Sequence, residues 1–314
     1  MQRSVHGLAA AIIVALLCGL PAISRADVCD RIAAKSPQAK EILAPPPTEI
    51  PGATAHVFKT VDGTDLKLFV FAPTGGASAP RPAPKPAIVL FYGGGWLFGN
   101  PGQMAPRAQY FADRGVVAIL ADYRAYCRAR TVITGQMADA NAAVIWIRSH
   151  AADLGVDPHR IAAFGGSSGG HLAVSTAVFK TSERMADGRT VSSRPDLLVL
   201  FYPCVDETYV FEKQSSDAFG GHGKDVSPLF HVTSGLPPMV IFQGTKDPLY
   251  PSTKAFCAEA RAKGDSCKFV EIAGADHGFF ALPRQGPAYD IGLKGMEQYL
   301  TEAGYLPAQT DKQD

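Results

Sequence analysis

The sequence predicts an α/β fold with a doubly wound, mostly parallel sheet, and three observations carry that reading. Six short, continuous apolar runs recur along the chain, helix-sized segments separate most of them, and one run breaks into a glycine-serine turn that opens a helix. Buried parallel strands read as continuous apolar runs because helices cover both faces of the sheet, and a repeated strand-then-helix order winds such a sheet. Composition agrees. Of 314 residues 46% are hydrophobic and 19% charged, below the roughly 25% charge of an average soluble domain, which argues against disorder. The formal net charge is +1, with no long run of either sign, so nucleic acid is not an expected partner.

Taken in order, the chain opens with Arg3 and His6, an apolar run from Leu8 to Leu20, Pro21, and small residues ending at Ala26. That is the pattern of a secretory signal peptide over residues 1–26, with cleavage expected after Ala26. The run is short of the roughly 20 residues that cross a bilayer, so no membrane span is expected in the mature chain, which reads as secreted or periplasmic. Removing the segment takes two arginines and no acid and moves the net charge from +1 to −1.

Export permits disulfides. Cys257, on an expected helix, and Cys267, opening the next strand, are placed to bridge the turn between them. Cys29 with Cys127 is a second candidate pair, and Cys204, just past an apolar run, reads as a buried free thiol. Without a C-x-x-C pair or a clustered His/Cys set, no metal site is expected.

Residues 27–53 read as an N-terminal arm closed by the stiff Ala44-Pro45-Pro46-Pro47 linker, and residues 54–314 as one domain. Alternating patterns from Thr54 to Thr60 and Leu66 to Ala72 flank Asp62-Gly63, an antiparallel hairpin. The six apolar runs follow: Ala87 to Phe91, Val116 to Ala121, Ile161 to Phe164, Leu197 to Phe201, Met239 to Phe242 and Lys268 to Ile272. Helices are expected over Gln103 to Arg114, Gly135 to Asp153, Ser168 to Lys180, Pro251 to Lys263 and Tyr289 to Ala303. The sheet therefore has eight strands, with helices on both faces. The stretch from Val205 to Leu236 shows no clear helix and reads as a short cap excursion over the carboxyl edge.

The chemistry concentrates where Ile161 to Phe164 runs into Gly165-Gly166-Ser167-Ser168-Gly169-Gly170. A strand, a tight turn of small residues and a helix start form the setting of a nucleophile elbow. Two registers satisfy G-x-S-x-G, one with Ser167 and one with Ser168 as the nucleophile. A turn starting directly after Phe164 favours Ser167. A serine hydroxyl needs a histidine base oriented by a carboxylate, and in this topology acid and then base follow the serine. His277, in the loop after the last strand, fits better than His222 or His231 in the excursion. Asp247, after Met239 to Phe242, fits better than Asp206, and Asp276 abuts the histidine too closely to aim into its ring. An oxyanion forms in acyl transfer and needs preorganised N–H donors. Gly93 and Gly94 at the end of a buried strand supply them, with the Ser168 amide as a third. A dinucleotide loop fails on spacing, since Gly99 comes one residue late for G-x-G-x-x-G.

These stretches resemble the α/β-hydrolase esterases of the hormone-sensitive-lipase and acetyl-esterase group, which includes exported bacterial carboxylesterases and feruloyl- or acetylxylan-esterase-like enzymes. The likeness runs from about Thr54 to Ala303. It matches Tyr92 to Trp96 to the family's H-G-G-G-W and Asp122-Tyr123-Arg124 to D-Y-R. Gly165 to Gly170 match G-D-S-A-G-G, Asp247-Pro248-Leu249 match D-P-L, and His277-Gly278-Phe279 match H-G-F. The resemblance implies an α/β-hydrolase fold, Ser167 as nucleophile, Ser168 as its oxyanion neighbour and no cofactor. It departs in placing Tyr92 where the family has a histidine that holds the oxyanion loop, and Gly166 where the family has an acid or histidine. Tyr92 and Trp96, flanking that loop, are the candidate substrate-binding residues. The expected activity is hydrolysis of short-chain esters, with acetyl or feruloyl groups on polysaccharide as one substrate class. A prolyl-peptidase-type amidase and a non-catalytic binding relative are the alternatives.

Overall fold

The computed structural model describes residues 29–30, 45–74, 83–208 and 223–308. The expected signal peptide, most of the N-terminal arm, part of the proline-rich loop and His222 in the excursion lie outside the described residues.

The chain begins its sheet with β1 (Thr54–Val61) and β2 (Thr64–Phe71), paired antiparallel. Both central residues of the connecting turn, Asp62 and Gly63, have positive φ, 49° and 73°, the backbone that a two-residue hairpin loop of matching twist requires. The order then alternates: β3 (Lys85–Phe91), α1 (Ala105–Ala112), β4 (Val117–Ala121), α2 (Tyr126–Ala129), α3 (Ile133–Ser149), β5 (Val156–Gly166) and α4 (Ser168–Val178). After the small β6 (Ser182–Arg184) and β7 (Thr190–Ser192) hairpin come β8 (Leu197–Phe201), α5 (Gly223–Val226), β9 (Met239–Gly244), α6 (Tyr250–Ala262), β10 (Cys267–Ile272) and α7 (Pro287–Glu302).

Eight strands form one sheet in the order β1-β2-β4-β3-β5-β8-β9-β10. The hairpin joins antiparallel through β2 and β4, and the other six strands run parallel. Alternate residues of these strands face opposite sides. Ile88, Leu90, Phe164, Val199, Phe201, Val240 and Phe242 pack with Phe111 of α1 and Met296 and Leu300 of α7 in one core. The other set, including Val89, Ile119, Ala163, Leu198 and Ile241, is as deeply buried, on the side of α3, α4 and α6. The low charge of the sequence follows from these doubly covered strands.

Three local features depart from the sequence reading. Ile50, assigned to the linker, belongs to the core, so packed chain begins before Thr54. Strand β5 starts five residues early, running through Pro158 beyond the apolar stretch. The β6-β7 hairpin, with little apolar content and mostly exposed, carried no periodic signal. Cys257 and Cys267 form the expected disulfide, with 5.7 Å between their Cα atoms. Cys29 and Cys127 are each in a disulfide, and Cys204 is a buried free thiol. Among the described residues no helix is long and apolar enough to cross a membrane.

Candidate active site

The carboxyl edge of the sheet gathers the expected residues. Ser167 stands between β5 and α4 with φ 56° and ψ −127°, a strained backbone for a residue with a side chain. Its amide donates to the Phe201 carbonyl at 3.1 Å, and its carbonyl accepts from the amides of His171 at 3.0 Å and Cys204 at 3.2 Å. The turn closes only because its flanks are bare. A Cβ on Gly165 would lie 2.2 Å from the Gly169 carbonyl oxygen, and one on Gly169 would lie 2.3 Å from that of Phe91.

His277, in the loop after β10, reaches Ser167: its Nε2 is 2.9 Å from Ser167 Oγ and its Nδ1 2.9 Å from Asp247 Oδ2. Asp247 follows β9, and its second oxygen accepts from the Leu249 amide at 2.9 Å. The carboxylate is fully buried while the imidazole is 39% exposed, so one end of the relay is sheltered and the other open to a ligand. The competitors serve elsewhere. Asp206 caps its own turn through Thr208, Asp276 pairs with Arg284 at 2.9 Å, and His231 Nε2 donates to the Lys224 carbonyl on the surface.

Gly93 lies against the elbow, where an added methyl would sit 3.6 Å from Ser167 Cβ. Among the described residues no carbonyl accepts from the amides of Gly93, Gly94 or Ser168. These three N–H groups are therefore at hand for a negative oxygen beside Ser167.

Tyr92 and Trp96 are placed differently from the expectation. Both are buried, with 0% and 1% exposure, and neither presents a face to a substrate. Tyr92 stacks on Tyr123 at 4.1 Å, and the two hydroxyls donate to each other's backbone carbonyls, each at 2.9 Å. Burial pushes both phenols well above their usual range. Asp122 lies beneath, held by Arg128 at 2.7 Å, with burial raising its carboxyl above the usual value against the pull of that guanidinium. The tyrosine pair fastens the oxyanion loop to the D-Y-R segment, the task expected of the family histidine. Arg124 of that segment forks onto buried Asp139 with two 2.9 Å bonds, a structural pair. Trp96 donates its indole N–H to His171 Nδ1 at 3.1 Å. Gly166 also has a local reason: a Cβ there would press on the Tyr202 ring at 3.1 Å, and that ring stands edge-on to His277 at 5.0 Å.

A column of rings supports the histidine loop from behind. Phe242 stacks on Phe201 at 4.7 Å, Phe201 on Phe280 at 3.8 Å, and the Arg107 guanidinium covers Phe280 at 3.9 Å while donating to its carbonyl at 3.2 Å. Sequence reasoning missed Arg107 and Tyr202. A helix arginine carries no signal of burial, and Arg107 is only 4% exposed. Among the described residues no group of three or more His, Cys, Asp or Glu side chains converges to hold a metal ion.

The sheet order, the strained serine after β5 and the acid and histidine loops after β9 and β10 define the class: an α/β-hydrolase fold with serine, histidine and aspartate aligned at its carboxyl edge. The BD-FAE family model matches residues 78–259. That is more than half of the chain, which belongs to this family, within the carboxylesterase and hormone-sensitive-lipase group. Esterase Est2 from the Planctomycetes species Thermogutta terrifontis, solved with butyrate bound, superposes with a TM-score of 0.73 at 38% identity, covering 83% of this chain and 98% of that one. Carboxylic ester hydrolase LipN of Mycobacterium tuberculosis is 28% identical over 76% of this chain and 68% of its own length. Esterase LipQ of the same organism is 27% identical over 62% of this chain and 50% of its own. The chain spans about half the length of the first curated relatives it matches, 54%, 45% and 50%.

Proposed function

We propose that the protein hydrolyses short-chain carboxylic esters through Ser167, His277 and Asp247. The observation that carries this reading is the unbroken relay from Ser167 Oγ to His277 Nε2 and from Nδ1 to Asp247, each contact 2.9 Å. Ser167 Oγ attacks the acyl carbon as its proton passes to His277 Nε2, and Asp247 steadies the imidazolium. The Gly93, Gly94 and Ser168 amides receive the oxyanion. On collapse, the bond from the acyl carbon to the alcohol oxygen breaks and His277 returns the proton to that oxygen. Water then adds to the acyl-enzyme with His277 as base, releasing the acid and restoring Ser167.

Short acyl groups are favoured by the modest excursion between β8 and β9, and by Est2, which has been solved with butyrate and with propionate bound. The disulfide pairing supports export, with the mature chain beginning after Ala26. Acetyl or feruloyl groups on polysaccharide are the substrate class suggested by the sequence resemblance.

Hydrolysis of p-nitrophenyl esters from acetate to palmitate tests the reading. Activity peaking at short chains and lost in Ser167→Ala supports it, whereas equal activity in Ser167→Ala or a maximum at palmitate overturns it. Acetate release from acetylated xylan, set against simple esters, tests the polysaccharide class. N-terminal sequencing of exported protein tests cleavage after Ala26.

A further inference from the structure

His171 has no part in the proton relay, yet it sits four residues beyond Ser167 on α4, is fully buried, and has both ring nitrogens engaged. Its partners are informative because each can play only one role. An indole N–H can only donate, so Nδ1 must be bare to accept from Trp96 at 3.1 Å. A backbone carbonyl can only accept, so Nε2 must carry the proton shared with Val226 O at 2.9 Å. One neutral tautomer satisfies both contacts, and an imidazolium would set an N–H against the indole N–H. Burial agrees, holding the His171 pKa down at about 4.

The three elements joined at this ring surround the place where an oxyanion would form. Trp96 belongs to the loop that presents the Gly93 and Gly94 amides. It has φ 60°, and its carbonyl is fixed by Tyr126 N at 2.9 Å and Gln136 Nε2 at 3.0 Å. Helix α4 presents the Ser168 amide. Val226 ends α5, where the excursion returns to the domain. The two sources of oxyanion donors come from segments about 75 residues apart in sequence; the pairing of β3 with β5 brings them side by side but ends at Phe91 with Gly165, and beyond that pair the indole–imidazole bond links the loop to α4.

We infer that His171 is a positioning residue, a neutral strut that sets the spacing between the Gly93-Gly94 amides and the Ser168 amide and ties that spacing to the returning excursion through Val226. The inference rests on the proposed esterase reaction. Donors to an oxyanion act by where they point, so a loosened strut weakens transition-state binding and leaves ground-state binding almost unchanged.

The test compares wild type with His171→Phe, Trp96→Phe, the double variant and His171→Gln, whose amide can both accept from Trp96 and donate to Val226. Readouts are kcat and KM for p-nitrophenyl butyrate and the inhibition constant of a trifluoromethyl ketone, which forms a tetrahedral adduct with Ser167. His171→Phe is expected to lower kcat about 10- to 100-fold, less than the roughly 10² to 10³ for losing a donor outright. KM should stay within about two-fold, and ketone affinity should fall in proportion to kcat/KM. Trp96→Phe should act in the same direction, the double variant should be no worse than His171→Phe, and His171→Gln should recover most of the rate. The strut is overturned by wild-type kcat and ketone affinity in either single variant, by additive losses in the double, or by a loss that appears only in KM. Should His171→Phe fail to fold, Trp96→Phe and His171→Gln decide alone. Full activity in Ser167→Ala overturns the esterase reading instead, which keeps the two failures distinct.

Discussion

His277 meets Asp247 at 2.9 Å, with the imidazole 39% exposed and the carboxylate buried, while His171 lies 3.6 Å from Glu207 with both side chains fully buried. The pairs look alike on paper and differ in what feeds the acid. Asp247 receives the Leu249 amide on its second oxygen. Neither Glu207 oxygen has a partner among the described residues, since the one proton of nearby Ser227 is given to the Gly223 carbonyl at 2.7 Å. Burial therefore pushes the Glu207 pKa up to about 8 and the His171 pKa down to about 4, a neutral pair. A histidine beside an acid becomes a proton relay only where hydrogen bonds hold the acid charged and the far nitrogen faces the reaction.

The most severe way to break this contrast is to neutralise each acid in turn. Asp247→Asn should lower kcat for p-nitrophenyl butyrate by about 10⁴-fold, because the amide favours the wrong imidazole tautomer. Glu207→Gln should stay within about three-fold of wild type. Comparable losses in the two variants would erase the distinction.

Stability against pH sharpens it. Unfolded Glu207 releases its proton near 4.5 but holds it to about 8 when folded. Its contribution is therefore intact below 4.5 and is lost as pH rises to 8, by up to about 5 kcal/mol. His171 runs the other way: folded, it stays neutral down to about 4 against 6.5 unfolded. Its contribution is intact above 6.5 and is lost as pH falls, by up to about 3 kcal/mol. Denaturant titrations from pH 4 to 9 should show a shallower alkaline decline in Glu207→Gln and a shallower acid decline in His171→Gln. Unchanged slopes would mean that the pair is not neutral.

The smallest effect is expected at Tyr92→Phe. It removes the bond to the Tyr123 carbonyl, which Arg128 also reaches, so about 1 kcal/mol of stability should go, readable as a lower midpoint in urea with little change in kcat.

The meeting of Ser167, Asp247 and His277 at one edge was legible in the sequence, and the packing around His171 was not. Ser167, Asp247 and His277 each follow a strand whose apolar run announces it, so their common edge follows from topology alone. The burial of Tyr92 and Trp96 was not legible because they lie in a loop, where side-chain direction no longer alternates as on a strand. Trp96 at φ 60° turns inward to meet His171. Nothing local links His171 to Glu207, 36 residues away, or to Trp96. Those contacts arise only when α4, the excursion and the oxyanion loop close on one another.

Arg107 and the ring column bear on motion rather than on chemistry. With Phe280 clamped between Phe201 and a guanidinium, the chain beyond His277 is anchored three residues downstream in the interior of the domain. The histidine loop thus has a short free span on that side. Its fast excursions should be those of a side chain turning about χ1 and χ2 rather than of a swinging loop, with high backbone order parameters through Phe280 on the ps–ns scale.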